Sequence, residues 1–110
     1  MRSGRPLKVK ETREYRRWFW RQDERIRRLI VGRFYFVRHA GDFGDSRHLG
    51  EGLVELRWRI GVRVYCSVKR IGGADILAVW GGSKRGQRRD IEKARAIKKR
   101  LEAGRETGRQ

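Results

Sequence analysis

Glu55, Arg57, Arg59, Arg63 and Tyr65 share one short stretch of the chain, VELRWRIGVRVY, from Val54 to Tyr65. A carboxylate among arginines can hold a guanidinium in place or take up a proton. Arginine grips phosphate in a bidentate fork, and tyrosine offers a stacking surface with a hydroxyl at its tip. Residues of these types fit a ligand that carries phosphate.

Whether they act together depends on strand alternation. Val54, Leu56, Trp58 and Ile60 fall on one face of an extended chain, with Glu55, Arg57 and Arg59 on the other. Beyond Gly61, Val62, Val64, Cys66 and Val68 point one way, and Arg63, Tyr65, Ser67 and Lys69 the other. A hairpin with one buried face must set apolar residues against apolar ones. Pairing Trp58 with Val62 does so and leaves Arg59, Ile60 and Gly61 as a three-residue connection with glycine at its left-handed end. The same register sets Arg57 opposite Arg63 and Glu55 opposite Tyr65. Like charges across a ladder repel, and an anion between them relieves the repulsion. Glu55 is read equally well as the cross-strand partner of Arg57 or Arg63.

The other face is expected to be open, carrying Glu55, Arg57, Arg59, Arg63, Tyr65, Ser67 and Lys69. His48 flanks it ahead of the strand, and Lys84 and Arg85 follow the last strand. Cations at the start of a helix oppose its dipole, and the same helix end attracts phosphate.

The elements that must position these groups are legible in outline. Pro6 to Lys10 reads as a first strand. Thr12 caps a helix in which Tyr15, Trp18 and Phe19 recur at helical spacing, and Asp23 caps a second with Ile26, Leu29, Ile30, Phe34 and Val37. AGDFGDS, Ala40 to Ser46, is a loop. One strand is expected from HLGEGLVELRWR, then the hairpin, a turn at Gly72 and Gly73, and a strand DILAVWGG closed by Gly81 and Gly82. Its residues Ile76 to Trp80 are apolar on both faces, as in a central strand. A last helix runs from about Gly86 to Ala103 on an inner stripe of Ile91, Ala94, Ile97 and Leu101. The expected fold is α+β, one domain over residues 1–110 with an ordered core at about 5–103. Its order is strand, two helices, three antiparallel strands and a helix, with the helices on one face of the sheet. Residues 1–4 and 104–110 are expected to be loose ends.

Composition narrows the partners. The 110 residues hold 30 Lys and Arg against 13 Asp and Glu, a net charge of +17. Such an excess draws polyanions, and nucleic acid or a ribonucleoprotein surface leads. The cations spread over helices and strands instead of lining one amphipathic helix, which disfavours a membrane surface. No apolar run approaches the ~20 residues of a membrane span, so a cytoplasmic protein is expected. A single cysteine, Cys66, on an apolar strand face reads as a buried thiol, and with only His39 and His48 beside it no metal site is expected.

GDSRHLGEGLVELR, VRVY and AVWGGSKRGQRRDIEKA occur in order with ordinary spacings. In these blocks the chain resembles HigB-type addiction module killer toxins of the RelE/ParE superfamily, from about Glu11 to Leu101. The matching positions are Gly41 and Asp42 or Gly44 and Asp45 in the loop, Glu55, Leu56 and Arg57, Arg63, Val64 and Tyr65, and Gly81, Gly82, Lys84, Gln87, Asp90 and Ile91. Val62 and Trp80 depart from the pattern, Val62 replacing an aromatic residue and Trp80 an aliphatic one.

The resemblance implies a toxin of a bacterial toxin–antitoxin system. It would be a metal-independent, cofactor-free endoribonuclease that cuts messenger RNA on the ribosome by attack of the RNA's own 2′-hydroxyl on the adjacent phosphate. Glu55 is then base or base-orienter, Arg57 and Arg63 clamp phosphate, Lys84 stabilises charge or donates a proton, and Tyr65 stacks or orients. His48, Arg59, Lys69, Arg85, Gln87 and Arg88 are the expected RNA contacts. The expected partners are the ribosome, messenger RNA and a cognate antitoxin of helix-turn-helix type, forming a hetero-oligomer. ParE-type toxins share the fold but inhibit DNA gyrase and cut nothing, and a non-catalytic RNA-binding module is a third reading.

Overall fold

A computed structural model describes residues 4–107, with side chains described through Gly104. In chain order it contains β1 (Val9–Glu11), α1 (Arg13–Arg21), α2 (Glu24–Ala40), β2 (Ser46–Gly50), β3 (Leu53–Arg57), β4 (Val62–Ser67), β5 (Ile76–Ser83), a 3-10 turn (Lys84–Gly86) and α3 (Gln87–Thr107). The strands form one mixed sheet in the order β1-β5-β4-β3-β2. β1 runs parallel to β5 and the remaining neighbours are antiparallel. The Cα radius of gyration, 13.6 Å, matches the ~13 Å of one domain of this length.

Local chemistry starts the helices as expected, while α2 runs through Ala40, one residue into the segment read as a loop. The Thr12 hydroxyl accepts from the Tyr15 amide and donates to the Val79 carbonyl, capping α1 and tying it to β5. Asp23 accepts from the Ile26 amide at the start of α2. Gly41, at φ +67, ends α2 in the left-handed conformation that glycine adopts without strain.

Two apolar layers sandwich the sheet. On one face Tyr15, Trp18, Ile30 and Val37 of α1 and α2 pack on Val54, Leu56, Trp58, Val62, Val64 and Cys66. On the other, Ala94 and Ile97 of α3 pack on Leu53, Tyr65, Leu77 and Val79, with Ile91 and Leu101 partly buried beside them. The helices therefore cover both faces, which corrects the one-sided arrangement read from the sequence. The cause lies in β5: a strand apolar on both faces needs cover on both.

Four further corrections follow. The segment read as one strand before the hairpin is two, β2 and β3, separated by a turn at Gly50, Glu51 and Gly52 in which all three residues have positive φ. Four strands thus follow the helices instead of three. Gly81 and Gly82 do not end β5 but lie within it. The first strand begins at Val9, because the Leu7 amide is spent on the Arg38 carbonyl. α3 continues through Thr107, past the expected loose end at Gly104; residues 1–3 and 108–110 lie outside the described part.

The predicted hairpin register is observed in full: Glu55 pairs with Tyr65, Leu56 with Val64 and Arg57 with Arg63, and the Trp58 amide donates to the Val62 carbonyl. Gly61 takes φ +97. Ile60, placed with the apolar face in sequence, sits in this turn at 49% exposure. Leu29, counted in the α2 stripe, is also exposed.

Candidate functional site

Glu55 lies at the centre of β3, between Arg47 of β2 and Tyr65 of β4. Because these are register partners, all three side chains rise on the face covered by α3. The Glu55 carboxylate is completely buried. Its Oε1 is 3.5 Å from Arg47 Nε and 3.9 Å from Arg57 Nε, and its Oε2 is 4.0 Å from Arg63 Nε. The first residue of α3 completes the enclosure: Gln87 Nε2 donates to Glu55 Oε2 at 2.6 Å. A carboxylate at a helix N-terminus is also favoured by the helix dipole.

The three arginines differ in freedom. Arg63 is buried, and its Nη1 donates to the Trp58 and Val62 carbonyls, closing the hairpin end. Arg57 and Arg47 keep 38% and 51% of their side-chain surface exposed, so their guanidiniums can reach a ligand. Glu55 Oε1, Arg57 Nε and Arg63 Nε are buried without a well-aligned hydrogen bond, their contacts being the ion pairs above, and the buried Tyr65 hydroxyl faces the Glu55 carboxylate. Buried polar atoms that lack a well-aligned hydrogen bond are costly, and several of them in one cluster mark a site not optimised for stability alone. The Tyr65 phenol is held neutral: burial pushes its ionisation upward, and the nearby Glu55 and Asp90 carboxylates add to that.

A β-bulge supports this arrangement. Tyr65 pairs with Trp80 but Cys66 with Ala78, leaving Val79 as the extra residue of β5. The Trp80 indole then donates to Asp90 Oδ1 at 3.0 Å. Gly82 pairs with Arg63, and a Cβ there would overlap the Asp90 carboxylate, just as one at Gly81 would overlap the Trp18 ring. The two glycines admit α3 on one side of the strand and α1 on the other.

Of the residues singled out in sequence, Glu55, Arg57, Arg63, Tyr65 and Gln87 meet. Arg88 adjoins them in a shallow pocket of about 320 Å3 that it shares with Arg47, Gln87, Ile91 and one carboxylate, Glu92. Lys84 and Arg85 are exposed in the 3-10 turn at the same end of the sheet, where the Lys84 amide donates to the Gly61 carbonyl. Arg59 is exposed in the hairpin turn. His48 and Lys69 are not part of the cluster. His48 pairs with Val54 and so belongs to the opposite face. Lys69 lies past the far end of β4, against Gly52, in a separate pocket with Arg95 and Lys98. The open surface expected for Glu55, Arg63, Tyr65 and Ser67 is corrected too: all four are buried.

Sequence reasoning missed Arg47, because β2 was not recognised as a strand; once it is, the alternation that puts Glu55 inward puts Arg47 beside it. Asp90 and Trp80 were seen only as pattern positions. Among the described residues no group of three or more His, Cys, Asp or Glu side chains is placed to hold a metal, and no helix is long and apolar enough to cross a membrane. Compared with protein-family models, with characterised proteins and with solved structures, the chain matches none.

Proposed function

We propose that this chain is a toxin of the RelE/ParE kind, with the HigB-like arrangement of blocks, and that it acts as a metal-independent endoribonuclease on messenger RNA at the ribosome. The observation that carries this reading is the buried Glu55 carboxylate ringed by Arg47, Arg57 and Arg63 within 4.0 Å. A net charge of +17 surrounds it. Such a cluster holds guanidiniums ready for a phosphate, with one carboxylate offsetting part of their mutual repulsion until the ligand arrives.

Cleavage by the RNA's 2′-oxygen needs a proton acceptor, cations on the pentavalent phosphorane and a proton for the departing 5′-oxygen. Arg57 and Arg47, partly exposed, take the phosphate oxygens. In doing so they move away from Glu55 Oε1, which has no other described partner, and Oε1 becomes the acceptor for the 2′-hydroxyl proton. Arg63, fixed by two carbonyls, holds the hairpin and keeps Glu55 Oε2 in place with Gln87. Lys84, exposed over the hairpin turn, stabilises the negative charge that develops on the leaving side and passes a proton to the departing 5′-oxygen. Tyr65, kept neutral, orients the carboxylate from below.

The complete burial of Glu55 favours one other reading, a phosphate-binding surface whose carboxylate only orders arginines, as expected of a non-catalytic RNA-binding module or a gyrase-directed toxin. End mapping of messenger RNA after a short pulse of expression separates them. The nuclease gives new 5′-hydroxyl ends inside coding regions with the wild type and none with Glu55→Gln. Growth arrest without new ends assigns the chain to the gyrase-directed class, and neither arrest nor ends leaves the binding module.

A further inference from the structure

The face of the sheet opposite the arginine cluster carries a feature that a charged RNA-binding domain does not need. Between β1, α1 and α2 lies a pocket of about 520 Å3 whose lining includes Tyr15, Phe19, Ile30 and Phe34. Its lip is apolar and exposed: Val31 is 59% and Tyr35 57% accessible, on a chain in which 39% of residues are charged. A second depression continues from it past Glu11 and Arg16 to Trp20, which is 65% exposed. Contiguous exposed apolar surface with a charged rim marks an interaction site more often than chance.

The rim identifies the chemistry of the occupant. Lys10, Arg13, Arg16, Arg17 and Arg38 line the two depressions against one carboxylate, Glu11, which is itself 3.6 Å from Arg16. The complement is an acidic segment with bulky apolar anchors. Stacked nucleobases fit less well. The Arg27 guanidinium lies over the Trp20 ring at 5.1 Å, and the His39 ring is 4.5 Å from that of Tyr35, so each aromatic is already engaged by a neighbour. The pocket floor is moreover a concave mixture of aliphatic and aromatic side chains, not a flat platform. β1 adds a short edge strand with a neighbour on one side only.

We infer that this groove docks an acidic segment of a partner protein, one or two bulky apolar side chains of which enter the pocket beside Tyr35, and that the segment binds without covering the arginine cluster. The inference deepens the toxin reading, on which it rests only in expecting a dedicated acidic partner. It says where that partner is held and that RNA access to Arg47 and Arg57 is not blocked there.

The test is selection of Asp- and Glu-rich random 16-residue peptides displayed on phage against the full chain, followed by fluorescence anisotropy of the enriched peptides. Enriched peptides are expected to share bulky apolar residues among the acids. Their affinity should fall at least about tenfold in Val31→Asp and Tyr35→Asp, two exposed positions whose thermal melting should stay as in the wild type. It should stay within about twofold in Arg57→Ala, which disables the other face. Peptides selected for acidity alone, binding the groove variants as well as the wild type, overturn the proposal. So does loss of peptide binding in Arg57→Ala, or a 12-nucleotide uridylate that loses affinity in Tyr35→Asp, which gives the groove to nucleic acid. Peptide binding is read without cleavage, so failure of the nuclease reading leaves this result standing, and the reverse.

Discussion

Arg57 and Arg63 stand directly opposite each other across the β3–β4 ladder, with Glu55 Oε1 3.9 Å from the first and its Oε2 4.0 Å from the second. Like charges in this position repel, and one carboxylate shared between two guanidiniums, with a third from Arg47, does not neutralise them. The cluster therefore carries a net positive charge around a buried carboxylate, and an incoming phosphate relieves the repulsion between its guanidiniums. The two arginines nevertheless have different duties, because only Arg63 is tied to backbone carbonyls.

That division gives the first prediction. Arg57→Ala removes a partly exposed cation that repels its neighbour, so the melting temperature should be unchanged or slightly raised while RNA cleavage falls by about 10²–10³. Arg63→Ala should lose both, because the Trp58 and Val62 carbonyls give up a donor, costing about 1–3 kcal/mol. Urea titration beside a cleavage assay checks the contrast. Equal stability losses in both variants would contradict it.

Salt dependence counts the phosphates gripped. Binding of a single-stranded RNA should weaken linearly in log–log form with added salt, and Arg47→Ala and Arg57→Ala should each reduce the slope by about 0.7. Lys69→Ala, remote from the cluster, should change affinity for a short oligonucleotide little. Anisotropy titrations at several salt concentrations measure all three.

Trp58 tests the assignment of faces. It is 8% exposed in the layer under α1 and α2, with the Arg33 guanidinium 4.3 Å from the ring centroid. Trp58→Ala should cost about 3–5 kcal/mol in denaturant unfolding. Arg33 also donates to the Phe43, Asp45 and Arg57 carbonyls, so the same variant should loosen the Gly41–Asp45 loop, visible as faster amide exchange there.

Gly82→Ala should be a site mutant by packing alone. Its added methyl meets the Asp90 carboxylate, so α3 must shift at its N-terminal turn, where Gln87 holds Glu55. Destabilisation of about 1–3 kcal/mol is expected, together with loss of RNA cleavage. A fully active, stable Gly82→Ala would show that α3 can lift from the sheet at no cost to the site.

At alkaline pH the buried acids give a signed expectation. Burial raises the ionisation of the Tyr15 phenol and the Cys66 thiol above their ordinary values. The unfolded chain releases those protons at about pH 8.5 for cysteine and about pH 10 for tyrosine, whereas the folded chain retains them. Their contribution to stability is therefore complete below about pH 8.5 and is lost as pH rises through the unfolded values toward the folded ones. Urea midpoints from about pH 7 to 11 should decline over that range, and Cys66→Ala should flatten the first part of the decline.

How much of this was legible in the chain depended on the range of the physics involved. Caps, helix stripes, the hairpin and its register are set by residues a few positions apart, and Thr12, Asp23, Gly61 and the Arg57–Arg63 opposition are read directly from spacing. The +17 charge pointed to a polyanion without any fold. What covers the second face of the sheet is a long-range question. Ile76 to Trp80 read as a central strand, yet helices were expected on one face only; packing decided that α3 takes one face and α1 and α2 the other, turning Glu55, Arg63, Tyr65 and Ser67 from an expected surface into a buried cluster. The β2–β3 register placed His48 on the far face and brought in Arg47, whose strand is joined to β3 by a turn too short to announce itself, and Lys69 fell beyond the far end of β4. Local sequence determined which side of each strand a residue occupies; the tertiary structure alone decided which of those sides meets a helix, because apolar burial is won by whole layers and not by single strands.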